Sequence, residues 1–149
     1  MTRITISDLQ ARVNLLNRLT GASEEPYTKH EDGRYTANPG TYLLDRAYGG
    51  VRLGQICEGG GERDILPRTT TGEQYALLGA LVTLAEIART GMTRARLAAD
   101  LGITRQALRR FASGERPMPW TLRDKLARVR AVVFDPKTGR STWHLDRRP

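Results

Sequence analysis

Four side chains in the run "TRQALRR", residues 104–110, can make the hydrogen bonds that distinguish one base pair from another. Arg105 and Arg109 carry the planar fork of donors that matches the paired acceptors of guanine in the major groove. Gln106 carries the donor and acceptor that match adenine, and Thr104 a short hydroxyl that suits either. On a helix with Leu108 and Phe111 turned inward, these four and Arg110 point outward. Arg109 is open to a base or a phosphate, whereas Arg110 is better suited to a phosphate. Thr93 and Arg94, at the start of the preceding helical pattern, are placed for the duplex backbone, where the positive end of a helix dipole assists. Arg116 is a further phosphate candidate in the loop that follows. The base-reading set is therefore Thr104, Arg105, Gln106 and Arg109, and the phosphate set Thr93, Arg94, Arg110 and Arg116.

No comparable constellation suggests catalysis. The only histidines, His30 and His144, have no second His, Cys or carboxylate at metal-ligand spacing, so neither a metal nor a cofactor is expected. Cys57 is the sole cysteine, which excludes an internal disulfide, and it reads as a small buried apolar residue. Tyr27, Tyr35, Tyr42, Tyr48 and Tyr75 read as packing residues, and no serine has a convincing His and Asp partner. Gly59, Gly60 and Gly61 lack the strand-to-helix context of a phosphate loop and read as a flexible exit loop. The chain is expected to bind, not to catalyse.

The elements that must hold the outward arginines are unusually well punctuated. Thr93 can cap a helix from Arg94 to Leu101, Gly102 breaks it, Thr104 caps a second from Arg105 to about Ala112, and Gly114 closes that one. Leu97, Ala98, Leu101, Ile103, Leu108 and Phe111 form the inward set. Such a pair, bracing helix then projecting helix, is a helix-turn-helix. The stretch "LAADLGITRQALRRFASGERPMP" resembles the helix-turn-helix of the Cro/repressor-like (XRE-type) family through Leu97, Ala98, Leu101, Gly102, Ile103, Leu108, Arg109, Arg110, Phe111, Gly114, Arg116, Pro117 and Pro119. The resemblance covers residues 93 to about 130, and implies a DNA-binding regulator that acts as a dimer.

Ahead of this motif, Ser7 and Gln10 read as a capping box for a helix on which Leu9, Val13, Leu16 and Leu19, or their neighbours, repeat at helical spacing, and which ends at Gly21. Turn signals at Asp32-Gly33, Pro39-Gly40 and Gly49-Gly50 divide the next segment into up to three short antiparallel strands, the hairpin "TYLLDRAY" with "VRLGQIC" foremost. Thr71 to Arg89 reads as a long helix, apolar over most of its surface, buried between sheet and first helix or shared with a second copy of the chain. The pattern from Asn38 to Gly50 resembles a small uncharacterised bacteriophage domain, which implies a phage or prophage origin. After the motif, "WTLRDKLARVRAVV" continues as a helix with Leu122, Leu126 and Val129 inward and Trp120 in a core or interface. Residues 132–145 read as a hairpin about "DPKTG", a wing over DNA or a strand pair for a partner chain, and "DRRP" as a basic tail.

Charge divides at the same place. Residues 1–91 hold 10 basic against 11 acidic side chains, and residues 92–149 hold 14 against 5. The whole positive excess lies with the helix-turn-helix, which suits a polyanionic partner better than a merely solvated basic face. With 21 Arg and only 3 Lys, coding bias can explain the choice of Arg, but not why acidic residues thin out after residue 91. The expected architecture is α+β in two modules: 1–91, for dimerisation, effector or partner binding, and 92–149, for DNA. The expected function is a sequence-specific regulator, a repressor by preference, that binds a near-palindromic operator on double-stranded DNA as a homodimer. The alternative is a phage anti-defence protein of the anti-CRISPR kind, whose first module inhibits a host protein while the second controls its own promoter. An RNA-binding or architectural role fits less well, because aromatic residues are only 6% of the chain and form no stacking cluster in sequence. The start "MTRITISDLQ" lacks an apolar secretion stretch and no long apolar run follows, so the expected address is the host cytoplasm, away from membranes.

Overall fold

Thr5, not Ser7, starts the first helix in the computed structural model, which describes residues 3–147. Helix α1 (Ile6–Thr20) is capped where the Asp8 carboxylate accepts the Thr5 N–H at 2.7 Å and the Thr5 hydroxyl accepts the Asp8 N–H at 3.3 Å. The box lies earlier than expected because an ionised carboxylate is a stronger acceptor than the Gln10 amide and is favoured at the positive end of a helix. The backbone N–H of Thr5, assisted by its hydroxyl, holds the Asp8 carboxyl below its ordinary range. Gly21 ends the helix at φ 74°, as expected.

Five strands follow where up to three were expected. Strands β1 (Tyr27–Lys29) and β2 (Tyr35–Ala37) form a small ladder about Asp32-Gly33. Strands β3 (Tyr42–Ala47), β4 (Gly50–Ile56) and β5 (Glu62–Thr69) form an antiparallel sheet in that order. The expected β3–β4 hairpin forms, but it turns through Tyr48 and Gly49 and not through Gly49-Gly50: Gly50 already pairs with Ala47, and both turn residues take positive φ, as a type I′ turn requires. Gly59, Gly60 and Gly61 are not an exit loop: the Cys57 N–H donates to the Gly61 carbonyl at 2.7 Å, turning the chain into β5. Strand β5 is hidden in sequence by its acidic and basic start and by Pro67.

Leu9, Val13 and Leu16 of α1 are buried, as are Val51, Leu53, Ile56, Ile65 and Leu66 of the sheet. Asn17 is fully buried and joins helix to strand: its Nδ2 donates to the Tyr42 carbonyl at 3.0 Å and its Oδ1 accepts the Tyr42 N–H at 2.8 Å. Two expectations fail here. Cys57 is half-buried, not buried, and Tyr27, Tyr35 and Tyr48 are exposed instead of packed.

Helix α2 (Thr71–Ala88) matches its expected span, but the chain divides into two compact units between Leu78 and Gly79, inside this helix. The two compact units thus part earlier in the chain than the expected module boundary at 91–92. Ala80, Leu84 and Ile87 belong to the C-terminal core, together with Leu97, Ala98, Leu108, Phe111, Met118, Leu122 and Leu126. A helix apolar on most sides serves both cores. The C-terminal unit continues with α3 (Arg94–Leu101), α4 (Arg105–Ser113), α5 (Trp120–Ala127), β6 (Val129–Asp135) and β7 (Arg140–Leu145). The expected fifth helix thus stops before Val129, which opens a strand, because the β-branched run that follows favours extended backbone. Trp120 is 70% exposed and so is not a core residue. The hairpin about "DPKTG" forms as expected, with Lys137 N–H and the Thr138 hydroxyl bonded to the Asp135 carboxylate, whose pKa they lower. The last two residues of the basic tail lie outside the described residues. The fold is α+β, and no helix among the described residues is long and apolar enough to cross a membrane.

Candidate nucleic-acid interface

Three threonine and glycine positions set the geometry of α3 and α4. The Thr93 hydroxyl accepts the Arg96 N–H at 3.1 Å, and the Thr104 hydroxyl accepts the Ala107 N–H at 3.0 Å. Each satisfies a donor that the first turn of a helix leaves open. Between them Gly102 takes φ 72°, and the Ile103 N–H returns to the Ala98 carbonyl at 3.0 Å. Only the residues from Gly102 to Thr104 separate the helices. Leu97, Ala98, Leu108 and Phe111 are buried between them and the rest of the unit, and Leu101 and Ile103 are partly buried against the same core. Gly114 closes α4 at φ 79°.

This packing leaves Thr104, Arg105, Gln106 and Arg109 exposed. The side chains of Arg105, Gln106 and Arg109 make no hydrogen bond or ion pair among the described residues, nor do those of Arg94 and Arg116, which are also exposed. Thr93 and Thr104 are less free, since each hydroxyl oxygen is engaged as a cap. Arg110 is half-buried and lies 3.8 Å from the Glu115 carboxylate. Other arginines of the chain, among them Arg18, Arg52, Arg68, Arg96 and Arg130, each face a carboxylate. Free guanidinium groups on a projecting helix can accept bidentate acceptors without first breaking an ion pair.

Asp100 was not singled out in the sequence, yet it fixes the unit around the helix pair. Its side chain is only 12% exposed, lies 3.0 Å from Arg96 Nε as an ion pair, and accepts from Trp143 Nε1 at 2.8 Å and from the Ser141 hydroxyl, whose oxygen in turn accepts the Arg96 Nε–H at 3.2 Å. Lys125 Nζ donates to the Asp100 carbonyl at 2.7 Å and stands 5.1 Å from the Trp143 ring. One carboxylate thereby joins α3 to β7, and its own backbone joins α3 to α5. Only the Arg96–Asp100 spacing of four residues signalled this in the sequence. His30 and His144 are both exposed, and no group of three or more His, Cys, Asp or Glu side chains that could hold a metal occurs among the described residues. No protein-family model matches the chain, and no curated protein or solved structure matches it significantly.

Proposed function

We propose that the chain is a sequence-specific, double-stranded DNA-binding transcriptional regulator of the Cro/repressor-like kind, which reads bases with α4 and braces that helix with α3. The observation that carries this reading is the outward, unpaired Arg105, Gln106 and Arg109 on a helix whose opposite side is locked into a core. Arg94 and Arg116 flank them as phosphate contacts, and Arg110 can join once it leaves Glu115. Charge supports the same reading: at the seam inside α2, residues 1–78 hold 9 basic against 10 acidic side chains and residues 79–149 hold 15 against 6. The regulator acts as a homodimer in the bacterial cytoplasm, with two copies of α4 entering successive major grooves about 34 Å apart. Repression follows where such a dimer covers a promoter.

The test is selection of duplexes from a random pool by the purified full-length chain. Enrichment of an inverted repeat with half-sites about one helical turn apart is the expected result. Retention of duplexes in proportion to salt alone, with no enriched sequence, overturns base reading.

A second reading, an anti-defence inhibitor whose N-terminal unit binds a host protein, is favoured by one observation. Tyr48 is fully exposed at the tip of the β3–β4 hairpin with φ 52°, a conformation that costs a non-glycine residue energy. Exposed tyrosines are frequent anchors in protein interfaces. Tyr48→Ala abolishes inhibition of a host defence system under this reading and leaves duplex selection unchanged.

A further inference from the structure

We propose that Trp120, together with Arg116 and Arg123, makes a second contact on the sugar–phosphate backbone of the duplex, beside the base pairs that α4 reads; this rests on the reading of α4 given above. The two tryptophans of the chain differ in a telling way. Trp143 has its indole N–H satisfied by Asp100, whereas the indole N–H of Trp120 has no acceptor among the described residues and its ring is 70% exposed. The exposed ring is held in place nonetheless. The Arg123 guanidinium stacks 4.8 Å from it, while Arg123 Nε donates to the Met118 carbonyl at 2.8 Å and the Met118 side chain is buried in the core.

The loop from α4 to this ring is pinned at both ends, by the Arg116 N–H on the Arg110 carbonyl at 3.3 Å and by Met118 in the core. Arg116, Trp120 and Arg123 thus follow α4 directly in the chain, on a segment with a fixed support. The group offers a flat apolar face, a single uncommitted N–H donor and two positive charges. A deoxyribose with its phosphate presents the complement: an apolar sugar face, acceptor oxygens and negative charge. An acidic protein or a second copy of the chain supplies one or two of these features, but the place directly after α4 in the chain and the local positive charge favour the duplex.

The test uses full-length Trp143→Phe, in which Trp120 is the sole tryptophan and is excited at wavelengths that tyrosine does not absorb, and a duplex selected by the wild-type chain. Iodide quenching of Trp120 is expected to fall when the duplex saturates the protein, as followed in parallel by anisotropy of labelled DNA. In the otherwise wild-type chain, Trp120→Ala is expected to weaken binding about tenfold, equally for selected and scrambled duplexes. Unchanged quenching on a saturated complex, or unchanged affinity in Trp120→Ala, overturns the contact and leaves α4 standing. Loss of quenching with rising protein concentration in the absence of DNA assigns the ring to a copy-to-copy contact and also overturns it. Failure of the wild-type chain to bind any duplex overturns the reading of α4, and this contact with it.

Discussion

Arg105 and Gln106 differ from most charged and polar side chains of the protein in having nothing to give up on binding. Replacing either by alanine therefore removes discrimination without disturbing the fold, at a cost of about 1–3 kcal/mol at the base it reads. Binding of each variant to duplexes carrying all four bases at each position of the half-site checks this; one position should relax per variant. Arg116 belongs to the other class. Arg116→Ala is expected to weaken binding uniformly across sequences and to lower the slope of log affinity against log salt by about 1. A change confined to one base position would contradict its phosphate role. Away from the interface, the Asp45 carboxyl is held below the usual carboxylate range, first by the hydrogen bond from Arg68 at 2.5 Å and then by the nearby charges of Arg68 and Arg52. Because the folded value is the lower one, the stability this confers is present above the unfolded value near 3.8 and lost as pH falls through the folded value. Arg68→Met should move the carbon-detected titration of Asp45 upward. An unmoved titration would show that the pair contributes nothing.

Helix α4 depends on its two punctuating residues more than on its length. Gly102 has open space where a Cβ would stand, so the cost of Gly102→Val lies in the φ of 72° alone, about 1–2 kcal/mol. Thr104→Ala removes the cap and costs about 1 kcal/mol. Urea unfolding measures both, and a loss near zero for either would mean that the turn relaxes freely. These same residues explain why the helix pair was legible in the sequence. Caps, the breaking glycine and the inward apolar set are all local signals, and the predicted bounds of α3 and α4 agree with the structure to within one residue. Elsewhere the determining partner is distant in sequence. Strands of three residues such as β1 and β2 carry no periodicity, and β5, whose Ile65 and Leu66 are buried, is recognisable only once it is paired with β4. The end of α5 depends on whether Val129 pairs with Leu145, and the role of Asp100 depends on a hairpin some 41 to 43 residues away. Free or occupied status of each arginine also needed the folded chain.

At the scale of the molecule, charge and core divide together. The seam between Leu78 and Gly79 leaves a net charge of −1 on one side and +9 on the other, so the near-neutral unit adds little to attraction for a polyanion and the basic unit supplies nearly all of it. On the proposed function, affinity for any duplex should fall steeply with salt, while the preference for one sequence over another should persist, because that reading places preference in α4 and not in the total charge. The measurement that tests this most directly is the ratio of Kd for a scrambled duplex to Kd for the selected duplex, at one fixed salt concentration, in the wild-type chain and in the double variant Arg105→Ala, Gln106→Ala. The account predicts that the ratio collapses toward 1 in the double variant while the Kd for the scrambled duplex changes little; an equal loss on both duplexes, or an unchanged ratio, contradicts it.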